Sequence, residues 1–152
     1  MFGNDGFREN QKEIINAVKS KRDALALIPT GGGKSLTFQL TAVTGSGVTF
    51  VVMPLISLIE DNLNYVLSLG ISACSLSAGS KTNVNKKLWH YFDEIRALKY
   101  KIVYLTPEKL AQSEGLLSTM IGLYNCDKID LIAIDEVHCM SSWGQDFRKD
   151  YL

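Results

Sequence analysis

Short apolar runs alternate along this chain with segments whose apolar residues recur every three or four positions. "DALALIP", "GVTFVVMP", "SACSLSA", "KIVYLTP" and "KIDLIAIDE" have the length and apolar content of strands. Between them, "NQKEIINAVKS", "KSLTFQLTAV", "SLIEDNLNYVLSLG", "NKKLWHYFDEIRALK" and "LLSTMIGLY" carry helical periodicity. The alternation predicts an α/β fold, a parallel sheet with helices on both faces, because strands covered on both sides are expected to be nearly continuous in apolar residues. Ligands of such sheets bind beyond the carboxyl ends of the strands. A run of three glycines follows the first predicted strand.

In "PTGGGKS", Gly31, Gly32 and Gly33 let backbone N–H groups turn inward around phosphate oxygens, a nest that side chains would obstruct. Thr30 adjoins this nest. A helix beginning near Gly33 points the positive end of its dipole at the same place. Lys34 then reaches the β- and γ-phosphates of a nucleotide, and the Ser35 hydroxyl joins the shell of a Mg²⁺ ion. The strict pattern G-x-x-x-x-G-K-S/T has a glycine where this chain has Ile28, so the match is incomplete. The alternative is a glycine-rich strand-to-helix turn that holds no ligand.

The other half of such a site is acidic, because Mg²⁺ and an attacking water both need carboxylates. "LIAIDEVH" places Asp135 and Glu136 at the end of an apolar run, on the same edge of the sheet as the glycines. Asp135 is the candidate for holding Mg²⁺ through water, and Glu136 the candidate for orienting and deprotonating the hydrolytic water. Two solvated carboxylates ending a strand are the plainer alternative.

Composition narrows the class without naming it. The 152 residues fit one ordinary domain, which buries about two-thirds of its unfolded surface. With 46% hydrophobic and 21% charged residues, neither a disordered nor a membrane protein is indicated. Sixteen basic residues balance sixteen acidic ones, so any nucleic-acid contact must be local. Cys74, Cys126 and Cys139 are odd in number and far apart, and the reading is buried, reduced thiols with no metal knuckle. No signal peptide and no apolar run of about 18 residues occurs; the expectation is an intracellular protein without a membrane partner.

Four stretches, "PTGGGKSLTFQL", "VVMPLISLIEDNL", "YLTPEKL" and "DEVHCMSSWGQDFRKDY", occur in the order and at spacings similar to those of RecQ-family DNA helicases of superfamily two. The resemblance covers essentially the whole chain. Its most discriminating part is "HCMSSWGQDFR", which resembles the aromatic-rich loop after the acidic motif of RecQ proteins and is unlike DEAD-box RNA helicases at that place. The resemblance implies a P-loop NTPase fold, the RecA-like ATP-binding lobe of a helicase, over residues 1–152. It implies ATP and Mg²⁺ as cofactors and single-stranded or junction DNA as partner. The parent moves 3′ to 5′ in DNA recombination, repair or replication, in the nucleus if the source is eukaryotic.

Individual residues follow from the same resemblance. His138, Trp143, Phe147 and Arg148 are carried over as DNA-facing residues of the loop that couples DNA binding to hydrolysis. The chemistry agrees, since aromatic faces stack on bases and an arginine pairs with phosphate or stacks; the alternative is two core aromatics with Arg148 paired to Asp146 or Asp150. "FGNDGFRENQKEII" is similar to the family's adenine-recognising motif, with Gln11 on the adenine edge and Arg8 beside the base. Asn4 departs from the aromatic or apolar residue of many relatives. Ser57 and Thr106 are phosphate contacts by resemblance, or helix caps, with Ser57 in capping-box spacing from Glu60. Lys81, Lys86 and Lys87 read as a solvated face.

RecQ proteins also have a second RecA-like lobe with an arginine finger, and usually a zinc-binding module, neither of which this chain contains. It ends before the S-A-T motif, whose strand lies between the glycine-loop strand and the acidic-motif strand in the family. The resulting expectation is a sheet lacking a central strand and an isolated chain that is marginal in stability and unable to unwind DNA. The other readings are a non-catalytic nucleotide-binding homologue and an RNA helicase lobe.

Overall fold

The computed structural model describes residues 6–29, 31–77 and 88–137. Thr30, Lys81, Lys86, Lys87, His138, Cys139, Trp143, Phe147 and Arg148 lie outside them. The elements in order are α1 (Gln11–Lys19), α2 (Lys34–Thr44), β1 (Val48–Val52), α3 (Ile56–Ser68), β2 (Ala73–Ser75), α4 (Leu88–Arg96), β3 (Ile102–Leu105), α5 (Pro107–Gln112), α6 (Glu114–Asn125) and β4 (Ile129–Ile134). The four strands form one sheet in the order β2-β3-β1-β4, and every pairing is parallel.

Period-two alternation of β1 divides the core. Val48, Phe50 and Val52 pack on one face with Tyr91, Phe92 and Ile95 of α4 and Leu116, Met120 and Leu123 of α6. Val51 and the following Met53 pack on the other face with Phe38 and Ala42 of α2 and Ile59, Leu63 and Val66 of α3. All five β1 residues are buried, as expected of a central parallel strand.

Two predicted features differ. "DALALIP" is not a strand: residues 23–29 take up no sheet pairing, and Leu25 and Leu27 are 84% and 89% exposed. The reason is the neighbour. A parallel strand forms only against a matching row of backbone groups, and β4 pairs with β1 alone, so its outer edge is unpaired among the described residues. Between that edge and residues 24–26 lies a cavity of about 340 Å³, with Phe38, Ile132 and Ile134 among its walls. The second difference is α5, which the periodicity did not announce. Six residues are too short for a repeat to show, but Thr106 caps it by accepting from the N–H of Lys109 at 3.3 Å, and Pro107 suits the first turn.

Cysteine burial needs one correction. Cys74 is buried in β2, whereas Cys126 is exposed, because it follows α6 in the turn that leads to β4. Ser57 is not a cap either. Helix α3 begins one residue before it, Leu55 holds the N-cap position, and no side chain caps that end.

Candidate active site

The site forms where α2 begins and β4 ends. Gly31 and Gly33 have φ of 76° and 82°, a left-handed conformation that costs side-chain-bearing residues free energy and costs glycine nothing. A Cβ at Gly33 would also collide with Nε2 of Gln11. The chain can therefore turn sharply into α2 only with glycine at that position. No side chain caps the helix and no acidic residue occupies its first turn, so its N-terminal N–H groups and dipole suit an anion.

Arg8 and Gln11 hold this loop from below. The Gln11 amide accepts from the Arg8 N–H at 2.8 Å and donates to the Gly33 carbonyl at 2.9 Å; Arg8 Nη1 donates to the Gly31 carbonyl. Two loop carbonyls are thus bonded to the N-terminal stretch instead of being turned toward an incoming anion. Gln11 is 1% exposed. This loop-supporting role escaped the sequence reading, although a signal existed: Gln11 shares the buried stripe of α1 with Ile15, one helical turn on.

Lys34, the first residue of α2, reaches across to the end of β4. Its Nζ lies 2.7 Å from Asp135 Oδ1 and 2.7 Å from Glu136 Oε1. Asp135 is anchored by its own N–H, which donates to the Val52 carbonyl at 2.9 Å, and its side chain is 6% exposed. Asp135 Oδ1 also accepts from the Glu136 N–H at 2.9 Å, and Glu136 has φ of 54°. Partial burial pulls the Lys34 pKa down, but the bonds to and charges of Asp135 and Glu136 outweigh that and hold it above the ordinary 10.5. The group is an ammonium at every physiological pH.

Ser35 follows Lys34 in the first turn, half-buried. Beneath the site, the Tyr104 hydroxyl and the Gln39 amide nitrogen are buried without a hydrogen-bond partner among the described residues. Burial raises the Tyr104 pKa; the neighbouring Gln39 amide works against this and the charge of Asp135 adds to it. Thr106 is 7% exposed and occupied as the cap of α5, whereas Ser57 is exposed on α3.

The architecture now has a family to be set beside. Residues 8–152 match the DEAD/DEAH box helicase family. The chain belongs to that family. Among relatives of this helicase chain, "ATP-dependent DNA helicase Q-like 4B" of Arabidopsis thaliana is 48% identical over 99% of the chain and 13% of its own length. "ATP-dependent DNA helicase Q-like 2" of the same plant is 45% identical over 99% of the chain and 21% of its own length. "RecQ-like DNA helicase BLM" of Xenopus laevis is 44% identical, again over 99% of the chain but 11% of its own length. The helicase chain therefore resembles RecQ-like DNA helicases along nearly all of its residues while spanning less than a quarter of each of these proteins.

Proposed function

We propose that this chain is the ATP- and Mg²⁺-binding motor lobe of a RecQ-like, 3′-to-5′ DNA helicase that serves DNA recombination, repair or replication. The observation that carries the reading is the meeting of Lys34 with Asp135 and Glu136 at the uncapped start of α2. The residues fit the ligands. Hard carboxylate oxygens suit Mg²⁺, the glycine turn and helix start suit polyphosphate, and an ammonium suits the β- and γ-phosphates. Bound ATP supplies a phosphoryl group for transfer to water.

In this reading Thr30, Gly31, Gly32, Gly33 and Lys34 hold the phosphates, and Ser35 and Asp135 serve the metal. Glu136 takes the proton of the attacking water. Arg8 and Gln11 hold the nucleotide end of the site, and for Gln11 to read adenine its amide has to give up one of its two present bonds. Ser57, Thr106, His138, Trp143, Phe147 and Arg148 form the DNA face. A second RecA-like lobe in a longer protein completes the site. The names of the relatives support ATP and DNA as ligands, and a DNA substrate places a eukaryotic form in the nucleus.

The test is a titration of the 152-residue chain with a fluorescent ATP analogue and Mg²⁺, beside Lys34→Ala. Saturable binding in the wild type that the variant loses supports the lobe as a nucleotide module. Equal binding by both chains removes Lys34 from the site and the reading with it. In a longer form of the protein, stimulation of hydrolysis by RNA instead of DNA would move the chain to the RNA helicases.

A further inference from the structure

The ammonium of Lys34 sits 2.7 Å from one oxygen of each carboxylate, so the Asp135 carboxylate proposed for the metal is already engaged by an internal cation. It is a compact, strongly hydrated point charge with three donors, and two of its near neighbours are these anions. Asp135 is nearly buried, and its Oδ1 also accepts from the Glu136 N–H at 2.9 Å, which holds the carboxylate where Lys34 meets it. A divalent ion entering alone has to displace the ammonium, leaving a third-exposed cation close to a second positive charge. A polyphosphate changes that balance, because it offers the ammonium another anion at the start of α2.

We infer that Lys34 is a placeholder cation: in the nucleotide-free chain it keeps divalent metal off the Asp135–Glu136 pair, and metal enters only with or after a phosphate ligand. This rests on the reading of these residues as a phosphate and metal site, and adds to it an order of assembly. A lobe of this kind does not fill with free metal, and each cycle begins from a site whose two carboxylates already share one internal positive charge.

The test uses Mn²⁺ as the probe, without nucleotide, on the 152-residue chain. Free Mn²⁺ gives a six-line electron paramagnetic resonance signal that collapses on binding. The expected result is that wild type leaves the signal near its free-ion intensity, while Lys34→Met and Lys34→Gln gain a site at least about tenfold tighter. Adding Asp135→Asn to either variant should abolish the gained site. Far-UV circular dichroism establishes that each variant is folded. Collapse of the Mn²⁺ signal by the wild-type chain at near-stoichiometric concentration, without nucleotide, overturns the inference, and this result does not depend on any variant folding. Folded variants that gain no site overturn it as well. A gained Mn²⁺ site in a chain that binds no ATP analogue leaves the placeholder intact and removes the nucleotide reading, so the two failures are distinct.

Discussion

Removing the Gln11 side chain separates two accounts of the N-terminal motif. Gln11 is buried and makes two bonds, one from the Arg8 N–H and one to the Gly33 carbonyl. Each such bond contributes about 0.5–1.5 kcal/mol net, so Gln11→Ala should cost about 1–3 kcal/mol of stability. The Gly33 carbonyl is only partly buried and finds water, which argues for the lower half of that range. The consequence for binding is loss of order in the glycine loop. Holding such a loop in place by roughly 1.4 kcal/mol corresponds to about a tenfold change in affinity. Because the support acts on the loop and not on the base, ATP, GTP and inorganic tripolyphosphate should weaken by similar factors in isothermal titration calorimetry. A tenfold loss for ATP, with GTP and tripolyphosphate unchanged, would refute the loop-support argument and assign the amide to the adenine ring.

Other consequences are as direct. In a longer, DNA-stimulated form, Glu136→Gln should lower ATP turnover by about 10²–10⁴ while leaving the affinity for an ATP analogue within a few fold, as read by a coupled ATPase assay and a binding titration. Tyr104→Phe removes a buried hydroxyl that has no partner among the described residues, and should raise stability by about 1 kcal/mol in urea unfolding; a clear loss would mean that the hydroxyl is bonded to Gln39. The folded-state pKa of Lys34 lies above its ordinary 10.5, so its ion pairs stabilise the chain fully below that pH and lose their effect as pH rises through the folded value. The stability gap between wild type and Lys34→Met should thus be constant near neutrality and, on the alkaline side, close in strong alkali. A gap that closed between pH 6 and 8 would point to another group.

The sheet was legible where an apolar run finds a strand to pair with, even though Ile132 and Ile134 of β4 are 47% and 49% exposed while β1 and β3 are buried throughout. β1, β3 and β4 arise within the apolar runs that announced them, and α2, α3 and α6 follow their periodicity to within a few residues. "DALALIP" failed for a reason no local pattern contains, because a strand needs a neighbour and the edge of β4 stands apart from this run. At the site, the meeting of Lys34 with Asp135 and Glu136 was inferable, since glycine loop and acidic pair both follow strand-like runs. Their direct contact was not, because the sequence reading gave the ammonium to phosphates. Gln11 was recognised as significant through family likeness, yet its bonds to Arg8 and Gly33 depend on where α1 packs.

The strand order also sets the tempo at which this molecule can form. Among the described strands only β2 pairs with its immediate successor, β3: β1 must wait for β3 on one side and β4 on the other. Every ladder closes a long loop before it gains a single bond, and such topologies fold slowly. While a ribosome is still delivering residues 102–134, β1 has neither of its partner strands beside it. The period of greatest vulnerability to misassociation is therefore set by translation speed, and slowing synthesis across that stretch should increase the demand for chaperones.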